Sequence, residues 1–223
     1  MIAYDDIAAA LATHGLMARG GFHPVAADGV PGDPATLVLA GNAGPAMWRA
    51  FEAGRRAEAD PLDAWSRRVL EGVAADLGAA ALFPFQGPPW LPFQRWAMRA
   101  DAVHPSPIGA LIHPDYGLWH AYRGALAFRE KLALSAADRR PSPCDDCKEK
   151  PCLKTCPVGA FSNVTFCILS CTGFIASDEG KDCLNQGCRA RRACPVGTHH
   201  HYHPAQATHH MTAFLKSNQG TKP

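Results

Sequence analysis

Apolar residues return every three or four positions in several stretches of the first half of the chain, and form short unbroken runs in others. Between Tyr4 and Thr13 the apolar side holds Ile7, Ala8, Leu11 and Ala12, which predicts an amphipathic helix. Gly15 to Val25 reads as a loop and a strand. Ala35-Thr-Leu-Val-Leu-Ala40 is a short apolar run flanked by Gly and Pro, as expected of a buried strand. Gly44 to Gly54 sets Met47, Trp48 and Phe51 on one helix face. Asp60-Pro61 opens the next helix, since aspartate suits the N-cap and proline the first helical position. That helix carries Trp65, Val69, Leu70 and Val73 inward and stops near Gly78. Ala79–Phe85 is expected as a strand, Pro88–Pro92 as a rigid loop and Gln94–Arg99 as a short helix. Ile108–Ile112 and Leu118–Phe128 read as two strands around the turn His113-Pro114-Asp115-Tyr116-Gly117. A last helix is expected from Pro204 to about Lys216.

Helices and strands that alternate in this way predict an α/β or α+β sheet domain. The polar, proline-bearing stretch Ala136–Pro143 marks a boundary. It separates an N-terminal domain, 1–137, from a smaller module, 138–223, that ends in the last helix. A chain of 223 residues has room for that arrangement. Its hydrophobic content of 47% is that of an ordinary globular protein.

A formal net charge of +2 gives no bulk electrostatic case for a nucleic-acid or membrane partner, and neither is expected. No apolar run reaches the roughly 18 residues of a membrane-spanning helix. Met1-Ile-Ala-Tyr-Asp-Asp lacks the basic start and apolar core of a signal peptide.

Cysteine changes the picture most. The first 143 residues contain none, and all nine fall between Cys144 and Cys194. Seven lie in two runs that each end in Cys-Pro-Val-Gly. The first is Cys144-Asp-Asp-Cys147-Lys-Glu-Lys-Pro-Cys152-Leu-Lys-Thr-Cys156, and the second holds Cys183, Cys188 and Cys194. An odd count packed into so short a stretch suits metal ligation in a reducing cytoplasm better than a disulfide scaffold. Two-cluster bacterial ferredoxins use Cys-x2-Cys-x2-Cys-x3-Cys-Pro, with the cysteine before proline ligating the other cluster. On that logic Cys144, Cys147, Cys152 and Cys194 form one 4Fe-4S site. Cys156, Cys183 and Cys188 belong to a second. Its fourth ligand is Cys167 or Cys171, with Cys167 preferred because it sits in an expected helix, Val164-Thr-Phe-Cys-Ile-Leu. Longer gaps, four residues between Cys147 and Cys152 and five between Cys188 and Cys194, depart from the pattern. Structural zinc is the competing reading, but zinc sites do not need a proline after the last cysteine.

Arg189, Arg191 and Arg192 lie between two cysteines, placed either to raise a cluster potential or to form a solvated basic loop. His199, His200, His201, His203, His209 and His210 make a histidine-rich tail, a candidate for metal binding or for packing.

Upstream, Ser106-Pro-Ile-Gly109-Ala-Leu-Ile-His113-Pro114-Asp-Tyr116-Gly117-Leu-Trp119-His-Ala-Tyr-Arg123-Gly124 resembles the signature of CblC cobalamin-processing proteins. That signature runs Gly, a short apolar stretch, then Ile-His-Pro-x-aromatic-Gly-x-Trp-x-Ala-x-Arg-Gly. Epoxyqueuosine reductases are similar here, and in that family a corrinoid-binding domain precedes a two-cluster ferredoxin module. The resemblance implies a nitroreductase-like domain that holds cobalamin. Gly109, His113, Tyr116, Gly117 and Trp119 would line or shape the corrin pocket. Arg123 matches an arginine that serves a thiol co-substrate in CblC-like proteins. No catalytic side chain is identified. The expected function is an oxidoreductase that takes electrons from a reduced ferredoxin or flavodoxin type donor and passes them through two clusters to a corrinoid. The alternatives are a ferredoxin-type carrier that docks a partner enzyme and holds no corrinoid, a flavin enzyme, and a zinc-stabilised binding protein.

Overall fold

The structure, a computed structural model, describes residues 2–162 and 165–218. In chain order its elements are α1 (Tyr4–Ala12), β1 (Met17–Phe22), β2 (Thr36–Ala43), α2 (Ala46–Gly54), α3 (Pro61–Asp76), β3 (Ala80–Leu82), α4 (Phe93–Ala100), β4 (His104–Pro105), β5 (Leu111–Ile112), β6 (His120–Phe128), α5 (Pro151–Lys154), α6 (Ile168–Ile175), α7 (Lys181–Gln186), α8 (Arg189–Arg192) and α9 (Pro204–Ser217). Contacts divide the chain into two units. One holds the residues up to Val103 together with His120–Arg140. The other holds His104–Trp119 together with the residues from Pro141 onward. Among the described residues no helix is long and apolar enough to cross a membrane.

The first unit is built on an antiparallel sheet of strand order β1-β2-β6-β3. Strand β2 is central and buried from Thr36 to Asn42, which explains why its sequence is a continuous apolar run rather than an alternating one. Helices α1, α2 and α3 cover the sheet with Ile7, Leu11, Met47, Phe51, Trp65 and Leu70, each nearly or fully buried against Val38 and Leu126. Each such side chain contributes about 1.5–3 kcal/mol by leaving water. Asp60 does precede α3, with Pro61 at its start, but its carboxylate makes no capping bond.

One end of this sheet is polar and buried. Arg19 is only 3% exposed, and its Nε donates to Asp101 at 2.8 Å while the guanidinium also reaches the Asn42 carbonyl. The Tyr122 hydroxyl donates to the same carboxylate at 2.9 Å. Burial, above all else, pushes that phenol's pKa up. Beside this cluster the register of β2 on β6 shifts between Ala40 and Gly41. A Cβ at Gly41 would fall 2.2 Å from the Ala121 carbonyl oxygen, so the close approach admits only glycine.

The second unit is helical apart from a small hairpin. Strands β4 and β5 pair with each other and not with the main sheet. The strand expected over Ile108–Ile112 is cut to two residues because Gly109 takes a left-handed φ of +80° and closes a turn by donating its N–H to Ser106. The next strand begins at His120 and not at Leu118. Residues 104–119, read from sequence as part of the first domain, therefore cluster with the cysteine-bearing segment. Helix α9 starts as expected at Pro204, where the His203 ring accepts the Ala205 N–H at 3.3 Å. It lies against α7 through Thr208, whose hydroxyl donates to the Asn185 carbonyl.

The buried Arg19–Asp101 pair makes a stability prediction. Asp101→Ala leaves a guanidinium buried without its counter-charge and is expected to lower unfolding free energy by about 3–5 kcal/mol. Glu71→Ala, which breaks an exposed pair with Arg67, should change it by less than about 0.5 kcal/mol. Urea denaturation of both variants checks the difference.

Candidate metal centre

All nine cysteines carry free thiols. Cys144, Cys147, Cys152 and Cys194 line one small cavity, walled by Ile112, Pro143 and Val196. Cys156, Cys171, Cys183 and Cys188 line a second, with Phe174, Ile175 and Met211 among its walls. Each set crosses between the two cysteine runs. Cys156 leaves the first run to join the second cavity, and Cys194 leaves the second run to join the first.

Local backbone fixes these thiols. Lys150, in a left-handed conformation, turns the chain into α5, and its ammonium donates to the Cys144 carbonyl. Cys152 sits in that helix. Ala160 N–H donates to Cys156 Sγ at 3.3 Å. Cys188 is the cap residue before α8, and the nearby Arg191 and Ala190 N–H groups partly offset the burial that raises its pKa. The Val196 N–H does the same for Cys194.

Electrostatics reproduces the two sets. Burial first, then Cys188, Cys156, Cys183 and Cys167 push the Cys171 thiol up to about 11. Cys152 is raised by burial, then by Cys194 and Cys147. Burial also raises Cys194, with further contributions from Cys144 and Cys147. Such groups ionise together only when a cation joins them. Four soft sulfur donors suit zinc or an iron–sulfur cluster. A single zinc ion would require four sulfurs each about 2.3 Å from one point. Among the described residues no three His, Cys, Asp or Glu side chains are grouped so as to hold one ion.

Cys167, the preferred eighth ligand in the sequence, lines neither cavity. It is exposed, and its sulfur lies 3.0 Å from the Ser170 hydroxyl. That contact, helped by the Ser170 and Leu169 N–H groups, pulls its pKa down. The helix expected from Val164 explains the difference. Val164 lies outside the described residues, Thr165 and Phe166 are not helical, and Cys167 is only the cap of a helix that begins at Ile168. Cys171, one turn further on, occupies the cavity wall instead.

The corrin-pocket candidates divide. His113 is 5% exposed and holds its own turn, with Nδ1 accepting from the Asp115 and Tyr116 N–H groups at 3.0 and 3.3 Å. Its ring stacks on Tyr116. Trp119 is 2% exposed, packed on His201 and Tyr202, and its buried Nε1–H has no partner among the described residues. Gly117 meets the Val196 carbonyl closely, whereas Gly109 faces open space. Tyr116 is half-buried. Arg123 lies in the other unit, paired with Asp63 and bonded to the Ser66 hydroxyl at 3.0 Å. That pairing occupies the guanidinium expected to serve a co-substrate.

None of the three arginines lies in a loose solvated loop. Arg189 and Arg192 pair with Asp182, holding its carboxyl below the usual range. Arg191 Nε donates to the Leu118 carbonyl at 2.9 Å, and its guanidinium lies 4.6 and 4.5 Å from the Trp119 and Tyr202 ring centres. The histidine tail packs: His200 on Tyr116, His201 on Trp119, His210 on Tyr202. Burial and the nearby Arg192 and Arg191 lower the His201 pKa. The sequence reading missed Gly197 and Tyr202. The only signal for Gly197 is its place closing a Cys-Pro-Val-Gly turn.

No protein-family model and no curated protein matches this sequence. Solved structures do share its α+β fold, and they are epoxyqueuosine reductases. One is a complex with an epoxyqueuosine-modified tRNA-Tyr stem loop, at TM-score 0.55 and 13% identity, covering 90% of this chain and 66% of that one. The Bacillus subtilis enzyme gives 0.52 and 13%, over 90% of this chain and 66% of its own. That from Streptococcus thermophilus gives 0.51 and 15%, over 78% and 52%. This chain thus spans about two thirds or less of the length of these neighbours. At such identities the likeness establishes the fold. It also corrects one expectation: a neighbour of this fold holds a tRNA stem loop, so near-neutral charge does not exclude nucleic acid.

The thiol environments predict a reactivity order. In metal-free protein at pH 8, Cys167, with its lowered pKa, should alkylate with iodoacetamide at least ~10-fold faster than Cys171, because thiolate is the nucleophile. Raising the pH toward about 11 should narrow the gap as Cys171 ionises. Peptide mass spectrometry measures both rates.

Proposed function

We propose that this chain is an iron–sulfur oxidoreductase with two 4Fe-4S clusters. One is held by Cys144, Cys147, Cys152 and Cys194, and the other by Cys156, Cys171, Cys183 and Cys188. The observation that carries the reading is the pair of four-cysteine cavities, each drawing thiols from both runs in the crossed pattern of two-cluster ferredoxins. Such clusters supply one-electron transfer when bound. The chain's own part is to donate the Ala160 N–H to Cys156, to aim nearby backbone N–H groups at Cys188 and Cys194 and to exclude water with Phe174, Ile175 and Met211. Both effects tune a potential.

The acceptor we propose is a corrinoid, supported by the motif resemblance and by the fold shared with epoxyqueuosine reductases. Gly109, open and exposed, and Tyr116, half-buried, are the side of the motif available to a flat macrocycle. His113, Gly117 and Trp119 support them from beneath. A reduced ferredoxin or flavodoxin type protein is the proposed electron source. The tRNA-bound neighbour places a modified RNA among the acceptors to be tried. A ferredoxin-type carrier without its own acceptor has no observation in its favour.

Protein purified without oxygen should contain about eight iron and eight sulfide per chain and absorb broadly near ~400 nm, bleaching with dithionite. Cys171→Ser and Cys194→Ser should each lose roughly half the iron, and Cys167→Ser should keep it. Zinc in place of iron and sulfide would refute the assignment. Titration with hydroxocobalamin should give a saturable spectral shift that Gly109→Trp abolishes. No shift with the unaltered protein would remove the corrinoid.

A further inference from the structure

Two turns of the second unit meet backbone to backbone. A Cβ at Gly117 would lie 2.0 Å from the Val196 oxygen, and one at Gly197 would lie 2.3 Å from the Tyr116 carbonyl carbon. Both glycines are left-handed, at φ +56° and +70°. Neither position admits another residue without moving its partner turn. The turns themselves are stiff. His113 and Gly117 exchange two backbone bonds of 2.9 Å, the His113 ring accepts two more, and Pro195 fixes φ in the other turn. Around the contact Ile112 and Leu118 pack on Cys194 and Val196. Arg191 closes the far side by bonding the Leu118 carbonyl between the rings of Trp119 and Tyr202.

We propose that these turns form one joint through which ligation at Cys194 fixes residues 113–119, with Arg191 as its positioning residue. The inference rests on the reading of the first cavity as a cluster site. When Cys194 is a ligand, its bond to the cluster immobilises the Pro195–Gly197 turn. The contact at Gly117 has no slack, so the His113–Trp119 turn is fixed with it. When Cys194 is a free thiol, the Gly117 contact and the Arg191 bond to the Leu118 carbonyl remain, but the Pro195–Gly197 turn has no covalent anchor. The coupling runs both ways, because linkage is reciprocal. Loosening the joint weakens the cluster at Cys194 and leaves the one at Cys171 unaffected.

Hydrogen exchange of the iron-loaded protein, before and after chelation under dithionite, tests the joint. Amides of residues 113–119 should exchange at least tenfold faster once iron is removed, while those of β2 stay unchanged. In Arg191→Gln the same amides should exchange fast in the loaded protein. Of the two cluster midpoint potentials followed by electron paramagnetic resonance, one should move and the other stay. Gly197→Ala should lose about half of the iron. Iron-loaded protein whose 113–119 exchange ignores chelation overturns the joint alone. Protein that never binds iron overturns the cluster reading, and the joint with it.

Discussion

Four sulfurs lining one small cavity cannot all be ionised unless positive charge sits among them. In water two like charges 4 Å apart repel by about 1 kcal/mol, and several-fold more where water is excluded. The raised pKa values of Cys144, Cys152, Cys171, Cys188 and Cys194 express that repulsion together with burial. Among the described residues the apolar cluster around the first cavity is Ile112, Leu118 and Cys194 with a few half-buried neighbours, and Ile175, Ala190, Tyr202 and Ala207 are buried elsewhere in the second unit. Metal–thiolate bonds at the cavities, if present as proposed, would add to that burial. The first unit has a sheet covered by three helices and a core running from Ile7 to Leu132.

The upstream motif takes a different meaning in this light. His113, Gly117 and Trp119 are chemically attractive residues, yet all three are buried and packed within the cysteine-bearing unit. A buried tryptophan ring covered by an arginine and met edge-on by a tyrosine is a structural element first. If the neighbouring cavity holds a cluster as proposed, a motif that braces the Pro195–Gly197 turn would serve electron transfer by fixing spacing.

Much of the fold is legible in the chain. The 3.6-residue periods of Tyr4–Thr13, Gly44–Gly54 and Asp60–Gly78 become α1, α2 and α3, and the unbroken run at Ala35–Ala40 becomes the central strand. Period fails where one residue overrides it. Gly109 ends a strand that Ile108 to Ile112 otherwise supports. The late start of α6 turns Cys167 outward and Cys171 inward, a shift of one turn that spacing alone does not reveal. That Cys156 lines the cavity of Cys183 and Cys188, and Cys194 that of Cys144, Cys147 and Cys152, is expected from the two-cluster ferredoxin pattern, in which the cysteine before proline goes to the other site. The allegiance of residues 104–119 is not, because it is decided by the Gly117–Gly197 contact between segments some eighty positions apart.

The exchange of Cys156 and Cys194 between runs has a consequence for biosynthesis. Cys144, Cys147 and Cys152 leave the ribosome together, but Cys194, which lines the same cavity, is some forty residues behind. At about 5–20 residues per second, the triad waits several seconds for it. If that cavity holds a cluster as proposed, its set of four thiols is complete only after that interval.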